Sequence, residues 1–219
     1  MTGESHWDDF YLRGVAPEEP STFVQWVQNL TGEFDLVLDI GCGNGRDACA
    51  WASRSRVIGI DGSGEAVRVA RAVCDLRQLG HQMRLVEHSI GVVPLSRVLR
   101  EDRWLKDAAN VLVYSRFFLH AVTQEVQDAL LGDALELSGR FPTTLALEFR
   151  TPSDAALAKM FGNHFRRFVS SSEITAWAHS SGWSVVAVAE GQGLAPMGAE
   201  DPNLARVIAT SDSPSGASR

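Results

Sequence analysis

Lysine is almost missing from this chain. Lys106 and Lys159 are the only two, and the other eighteen of the twenty basic residues are arginines. A coding preference of the source genome would produce such a bias. It also supplies the cation better suited to bidentate pairing with phosphoryl and carboxylate groups. Positive charge as a whole is in deficit, at a net charge of -7 and a pI of about 5.3, so a broad basic face for nucleic acid is not expected. Cysteine is scarce too. Cys42, Cys49 and Cys74 are odd in number, lack C-x-x-C spacing and fall within one predicted βαβ unit. That argues against a disulfide framework or a zinc site, and for buried thiols in a reducing, cytoplasmic setting. No apolar run approaches a membrane span, and the opening MTGESHW has neither the basic nor the apolar region of a signal peptide. The carboxylates near the predicted active edge are few and scattered, so no metal is expected.

What is present suits one domain with a sizeable core: 219 residues, 45% of them hydrophobic. Apolar runs at Leu36–Ile40, Arg56–Ile60, Met83–Glu87, Asn110–Tyr114, Thr143–Phe149, Ser184–Glu190 and Leu204–Thr210 read as seven strands. Helical spacing recurs between them at Arg46–Ser53, Ala66 to Leu76, Gln124–Leu137, near Ala155–Phe161 and at Ser172–Ser180, and residues 91–109 read as helix or loop. Alternation of strand and helix implies an α/β, Rossmann-like, doubly wound sheet. The last two strands have no helix between them and should form a hairpin, which makes one of them antiparallel. Residues 1–33 read as an N-terminal helical lid, 34–210 as the main domain and 211–219 as a flexible tail.

The segment LVLDIGCGNGRDACAWA passes from a strand through Gly41, Gly43 and Gly45 into a helix. Such a junction turns backbone N–H groups toward a ligand. A dinucleotide fold wants G-x-G-x-x-G, whereas here Arg46 stands at the third glycine's place. Asp39, two residues before the turn, would repel a pyrophosphate and suits a ligand carrying an amine. Asp61 ends strand two, where a carboxylate accepts hydrogen bonds from ribose hydroxyls.

D-I-G-C-G-N-G, followed by the acidic end of strand two, resembles the class I S-adenosylmethionine-dependent methyltransferases over residues 34–210. The resemblance implies a seven-stranded sheet of order 3-2-1-4-5-7-6 with strand seven antiparallel. It implies that Asp39 and the turn, including Gly41, Cys42 and Gly43, hold the methionine end of S-adenosyl-L-methionine. It places Asp61 on the ribose, Gly62 and Ser63 beside it, and His88 or Ser89 near adenine. Tyr114, at the end of strand four, is counted with the cofactor residues.

The acceptor should then lie beyond the carboxyl ends of the strands. There the sequence places Arg116 and His120 after strand four, Arg150 after strand five, and His164, Arg166 and Arg167 in the insertion before strand six. Trp7, Tyr11 and Arg13 belong to the lid. A guanidinium cluster suits an anionic acceptor, a phosphate, phosphonate or carboxylate. His120 is the candidate general base if the acceptor is instead a sugar hydroxyl or an amine. W-D-D-F-Y, P-S-x-F and Y-S-R-F-F-L-H-A resemble a narrower group, the methyltransferase module of O-antigen chain-terminating enzymes and related small biosynthetic methyltransferases, in which a terminal phosphate can accept the methyl group. A non-catalytic cofactor-binding subunit and an RNA methyltransferase are the competing classes. The intact Asp39, Gly41–Gly45 and Asp61 set disfavours the first, and the acidic balance disfavours the second. The expected partner is a small molecule, with no nucleic acid and no membrane, for a monomer or homodimer.

Overall fold

Short β-branched and leucine-rich runs, the first six closed by a glycine or a charged residue, assemble into one seven-stranded sheet. The computed structural model describes residues 3–14, 16–157 and 165–211. Its strands are β1 (Leu36–Ile40), β2 (Arg56–Asp61), β3 (Met83–Glu87), β4 (Val111–Arg116), β5 (Thr143–Arg150), β6 (Ser184–Gly191) and β7 (Leu204–Thr210). The order is β3-β2-β1-β4-β5-β7-β6, and β7 runs antiparallel to both β5 and β6. This is the Rossmann-like order expected from the sequence. Four strands run further than expected, β2, β4, β5 and β6, so Asp61, Arg116 and Arg150 are themselves the last residues of β2, β4 and β5.

The helices are α1 (Gly3–Leu12), α2 (Thr22–Leu30), α3 (Arg46–Trp51), α4 (Gly64–Leu76), α5 (Leu95–Val98), α6 (Arg103–Lys106), α7 (Gln124–Ser138) and α8 (Ser171–Ser180). Side chains alternate across a strand, and the two faces of the sheet make two cores. Val37, Leu112, Tyr114, Ala146 and Ile208 pack with α2 and α3 through Phe23, Val27, Ala48 and Trp51. Leu36, Leu38, Ile40, Val113 and Leu147 pack on the opposite face with Leu130 and Ala134 of α7 and Ile174 of α8. The three cysteines are buried free thiols. Among the described residues no helix is long and apolar enough to cross a membrane.

The N-terminal segment divides where one lid was expected. Phe23, Val24 and Val27 of α2 are at most 2% exposed, so α2 is a permanent layer of the domain. Only α1 lies across the glycine turn. The helix expected near Ala155–Phe161 is absent over its described part, residues 155–157, and a single 3-10 turn at Pro152–Asp154 precedes it. Residues 158–164, with His164, and residues 212–219 of the predicted tail lie outside the described residues.

Candidate cofactor and acceptor site

The turn after β1 needs three left-handed backbones in five residues, and glycine supplies each: φ is +71° at Gly41, +56° at Gly43 and +77° at Gly45. Close approach adds a second reason. A Cβ on Gly41 would stand 2.8 Å from Phe118, and one on Gly43 only 2.2 Å from the Tyr11 hydroxyl. Gly41 and Cys42 donate their N–H groups to Ile60 O, which ties the turn to β2. The Cys42 side chain packs against Gly59 within the sheet, so Cys42 offers the site only its backbone.

Asp61 sits at the centre of this end of the sheet. Its Oδ2 accepts the Gly43 N–H and its Oδ1 accepts the Ser63 N–H, both at 2.9 Å. Burial pushes its pKa up, against the pull of those N–H groups. Asp39 is buried more deeply. Burial first, then the charges of Asp47 and Asp61, push its carboxyl well above the usual carboxylate range. Its Oδ2 is buried and makes no hydrogen bond among the described residues. A buried acceptor of this kind calls for a donor, ideally a cationic one. An orphaned carboxylate oxygen, three glycines that leave no room for a Cβ and an acidic residue at the end of β2 together fit a nucleoside carrying an ammonium group.

Other expected cofactor residues divide. Ser63 caps α4 by accepting the Ala66 N–H at 3.1 Å, and its hydroxyl donates to Asp8 Oδ1 of α1 at 2.5 Å. Ser89 faces Gly62, where a Cβ would meet its Oγ at 3.0 Å. The His88 N–H reaches Asp61 O at 2.9 Å, while its ring donates Nε2–H to Val93 O at 2.9 Å and so braces the loop after β3. Tyr114 is a correction. Its ring stacks on Phe23 at 4.9 Å and its hydroxyl donates to Asp47 Oδ2 at 2.8 Å, so it cements α2 and α3 to the sheet. The alternation of β4 turns it into the core below the cleft.

The lid comes close. Tyr11 lies over Gly43, and its hydroxyl is held far above the usual phenol range by burial first, then by Asp61 and Cys42. Arg13 is exposed at the end of α1.

On the acceptor side the structure separates the arginines by what already holds them. Arg150 is 6% exposed and pairs with two buried carboxylates, Asp154 at 2.7 Å and Glu200. Its charge is met inside the fold, which corrects the expectation of a clamp there. Arg167 donates to the side-chain oxygens of Gln124 and Gln127 at 2.5 Å and reaches the carbonyls of Leu119 and Val122, so it is a strut under the β4–α7 loop. Arg166 lies in the field of Arg150, Glu200 and Asp154, and burial with the like charge of Arg150 lowers its pKa. His120 is 4% exposed; its Nδ1 accepts the Arg150 N–H at 3.4 Å, and its carbonyl accepts the Arg167 N–H.

Arg116 remains. Its Nε stands 2.7 Å from Glu148 Oε1, off the hydrogen-bond line, and Glu148 Oε2 accepts from Arg206 Nε at 2.6 Å. The sheet register sets the three in one row, Arg116 opposite Glu148 and Glu148 opposite Arg206. Next along the chain Phe117 takes a φ of +59°, a conformation an aromatic residue rarely adopts. Backbone strain of this sort concentrates at functional sites. It places the Phe117 ring 4.0 Å under the Arg116 guanidinium and 5.3 Å from the His120 ring. Phe117, Glu148, Asp8 and Arg46 were not singled out as site residues from sequence. Arg46 had a visible signal, since it follows the third glycine directly. Glu148 had a weaker one, as a charge in the middle of an apolar strand.

Residues 37–137, a little under half of the chain, match a family described as a methyltransferase domain. No curated protein matches the chain. Solved structures match it in fold at low identity. A SAM-dependent methyltransferase from Anabaena variabilis is 14% identical, with a TM-score of 0.69 over 97% of this chain and 96% of that one. Magnesium protoporphyrin IX methyltransferase from Synechocystis, with S-adenosylhomocysteine bound, is 18% identical at a TM-score of 0.58 over 86% and 80%. A protein whose structure concerns conversion of a disulfide bond into a thioacetal group in echinomycin biosynthesis is 18% identical at 0.66 over 98% and 95%. Together with the left-handed glycine turn, the orphaned Asp39 oxygen and the sheet order, the match of residues 37–137 to a methyltransferase domain supports a class I methyltransferase with S-adenosylmethionine as its cofactor.

Proposed function

We propose that the protein is an O-methyltransferase of a small biosynthetic acceptor that presents an anionic oxygen, as phosphate, phosphonate or carboxylate. The observation that carries the reading is Arg116. It stands at the end of β4, 16% exposed in its side chain, and no described residue accepts a hydrogen bond from its two terminal nitrogens. Those nitrogens are available to a carboxylate or phosphoryl group in the bidentate way that guanidinium favours. Phe117 beneath it offers an apolar platform for the acceptor's skeleton.

The cofactor brings a methyl group on a sulfonium centre, so the protein has to position the acceptor and exclude water. Arg116 orients the anion, and α1, with Tyr11 over Gly43, closes the cleft from above. An anionic oxygen needs no base, in keeping with a His120 whose Nδ1 is engaged in a hydrogen bond. Asp39 and Asp61 face the cofactor's ammonium and ribose hydroxyls. Cytoplasmic placement is part of this proposal, on the free thiols and the small-molecule chemistry.

Methyl-labelled S-adenosylmethionine, offered with acceptor pairs that differ only in bearing a phosphate, phosphonate or carboxylate in place of a hydroxyl, tests the reading. Label should enter the anionic members only, and Arg116→Ala should abolish that transfer. Equal labelling of the neutral members would refute it and return His120 to the role of base.

A further inference from the structure

Arg46 is the first residue of α3 and follows the glycine turn without a spacer. Its side chain is only 15% exposed, yet no described residue accepts a hydrogen bond from it. The nearest carboxylate oxygen is Asp47 Oδ1, at 3.7 Å, and that atom already accepts the Ser21 N–H at 2.8 Å. Asp47 Oδ2 is occupied as well, by the hydroxyls of Tyr114 at 2.8 Å and Ser21 at 2.7 Å. The register of β1 with β4 sets Ile40 beside Ser115, which brings the turn and Arg116 to the same end of the sheet. Arg46 and Arg116 feel each other there: burial, then Arg116, lowers the Arg46 pKa.

Two guanidinium groups so placed are costly unless something negative joins them. The row behind them does not suffice. Arg46, Arg116 and Arg206 face two carboxylates, Asp47 and Glu148, and Glu148 is shared between Arg116 and Arg206. Arg46 also acts on Asp39, but burial, Asp47 and Asp61 hold that carboxyl well above the usual carboxylate range, so one positive charge of the row is left over.

We propose that Arg46 and Arg116 form a two-guanidinium site for a single carboxylate or phosphoryl anion, with Arg46 supplying its hydrogen bonds and Arg116 the second charge. Such an anion has two sources, the amino-acid carboxylate of the cofactor and the charged group of the acceptor. The second source rests on the function proposed above, and the first does not.

Binding measurements separate them without turnover. Calorimetric titration with S-adenosylhomocysteine and with its decarboxylated analogue is run on the wild type, Arg46→Gln and Arg46→Lys, with circular dichroism to confirm the folded state. Loss of a charge-assisted pair weakens binding by about 10- to 100-fold. If the cofactor is the source, Arg46→Gln weakens S-adenosylhomocysteine by that factor, the decarboxylated analogue binds the wild type and the variant alike, and Arg46→Lys falls between. If the acceptor is the source, both adenosyl compounds bind all three proteins alike. In that case inorganic phosphate or acetate raises the melting temperature of the S-adenosylhomocysteine-saturated wild type and fails to do so in Arg46→Gln. No change in either arm overturns the two-arginine site. That result leaves the anionic-acceptor reading to its own transfer assay, where Arg116→Ala is the deciding variant.

Discussion

Glu148→Gln is the perturbation that most directly probes how the fold holds its arginines. Glu148 is fully enclosed in the middle of β5, with Arg116 at 2.7 Å on one side and Arg206 at 2.6 Å on the other. Glutamine keeps the shape and removes the charge. Its amide oxygen can face one guanidinium, but its NH2 must then face the other, donor against donor. Breaking a buried ion pair by neutralising one partner is worth about 3 to 5 kcal/mol, because an uncompensated charge stays behind. Arg206 has other acceptors, Thr22 Oγ1 and Leu194 O at 2.8 Å each, which favours the lower half of that range. For a domain of this length 1 kcal/mol moves the melting temperature by about 2 to 4 °C, so the variant should melt about 6 to 16 °C below the wild type. Thermal unfolding followed by circular dichroism at pH 7 reads it. Adding Arg116→Gln to Glu148→Gln should cost far less than the sum of the two single changes, since the second removes a charge the first left unpaired. A fall of less than about 3 °C, or simple additivity, would refute the reasoning that one carboxylate serves two guanidiniums.

Three further outcomes follow from the same geometry. Asp39 holds its proton more tightly folded than unfolded, so its contribution to stability falls as pH rises from its unfolded value of about 3.9 through its raised folded pKa; Asp39→Asn should therefore raise the melting temperature at pH 8 relative to pH 4 while weakening S-adenosylhomocysteine in calorimetry. Asp133, on α7, accepts the Leu95 N–H and is pushed up to about 6 by burial, so it too favours folding at low pH and loses that benefit between about 4 and 6; Asp133→Asn should flatten the melting profile across that window. Gly43→Ala should combine a left-handed alanine, worth about 1 to 2 kcal/mol, with displacement of Tyr11, and weaken S-adenosylhomocysteine by at least about 5-fold; unchanged affinity would mean that Tyr11 and the turn are already apart in solution.

The sequence by itself determined the strands of the sheet and the conformation of the glycine turn. Short apolar runs between helical segments are local signals, and the turn at Gly41–Gly45 is local as well, because a positive φ and a close backbone approach leave glycine alone in place. Asp39 and Asp61 were legible for the same reason, each standing at a strand end beside that turn. The contacts that make α2 a packed layer and α1 a cover, of Phe23 and Val27 with Val37 and Tyr114 and of Asp8 with Ser63, belong to the tertiary structure. So do the roles of the arginines. Arg116, Arg150 and Arg167 look alike along the chain, and their difference lies in residues far away in sequence: Glu200 opposite Arg150, Gln124 and Gln127 around Arg167, Arg206 competing with Arg116 for Glu148. Charge is neutralised through space, by whatever carboxylate or carbonyl the packing brings within about 3 Å. Which guanidinium stays available for a ligand is therefore decided by the tertiary structure alone.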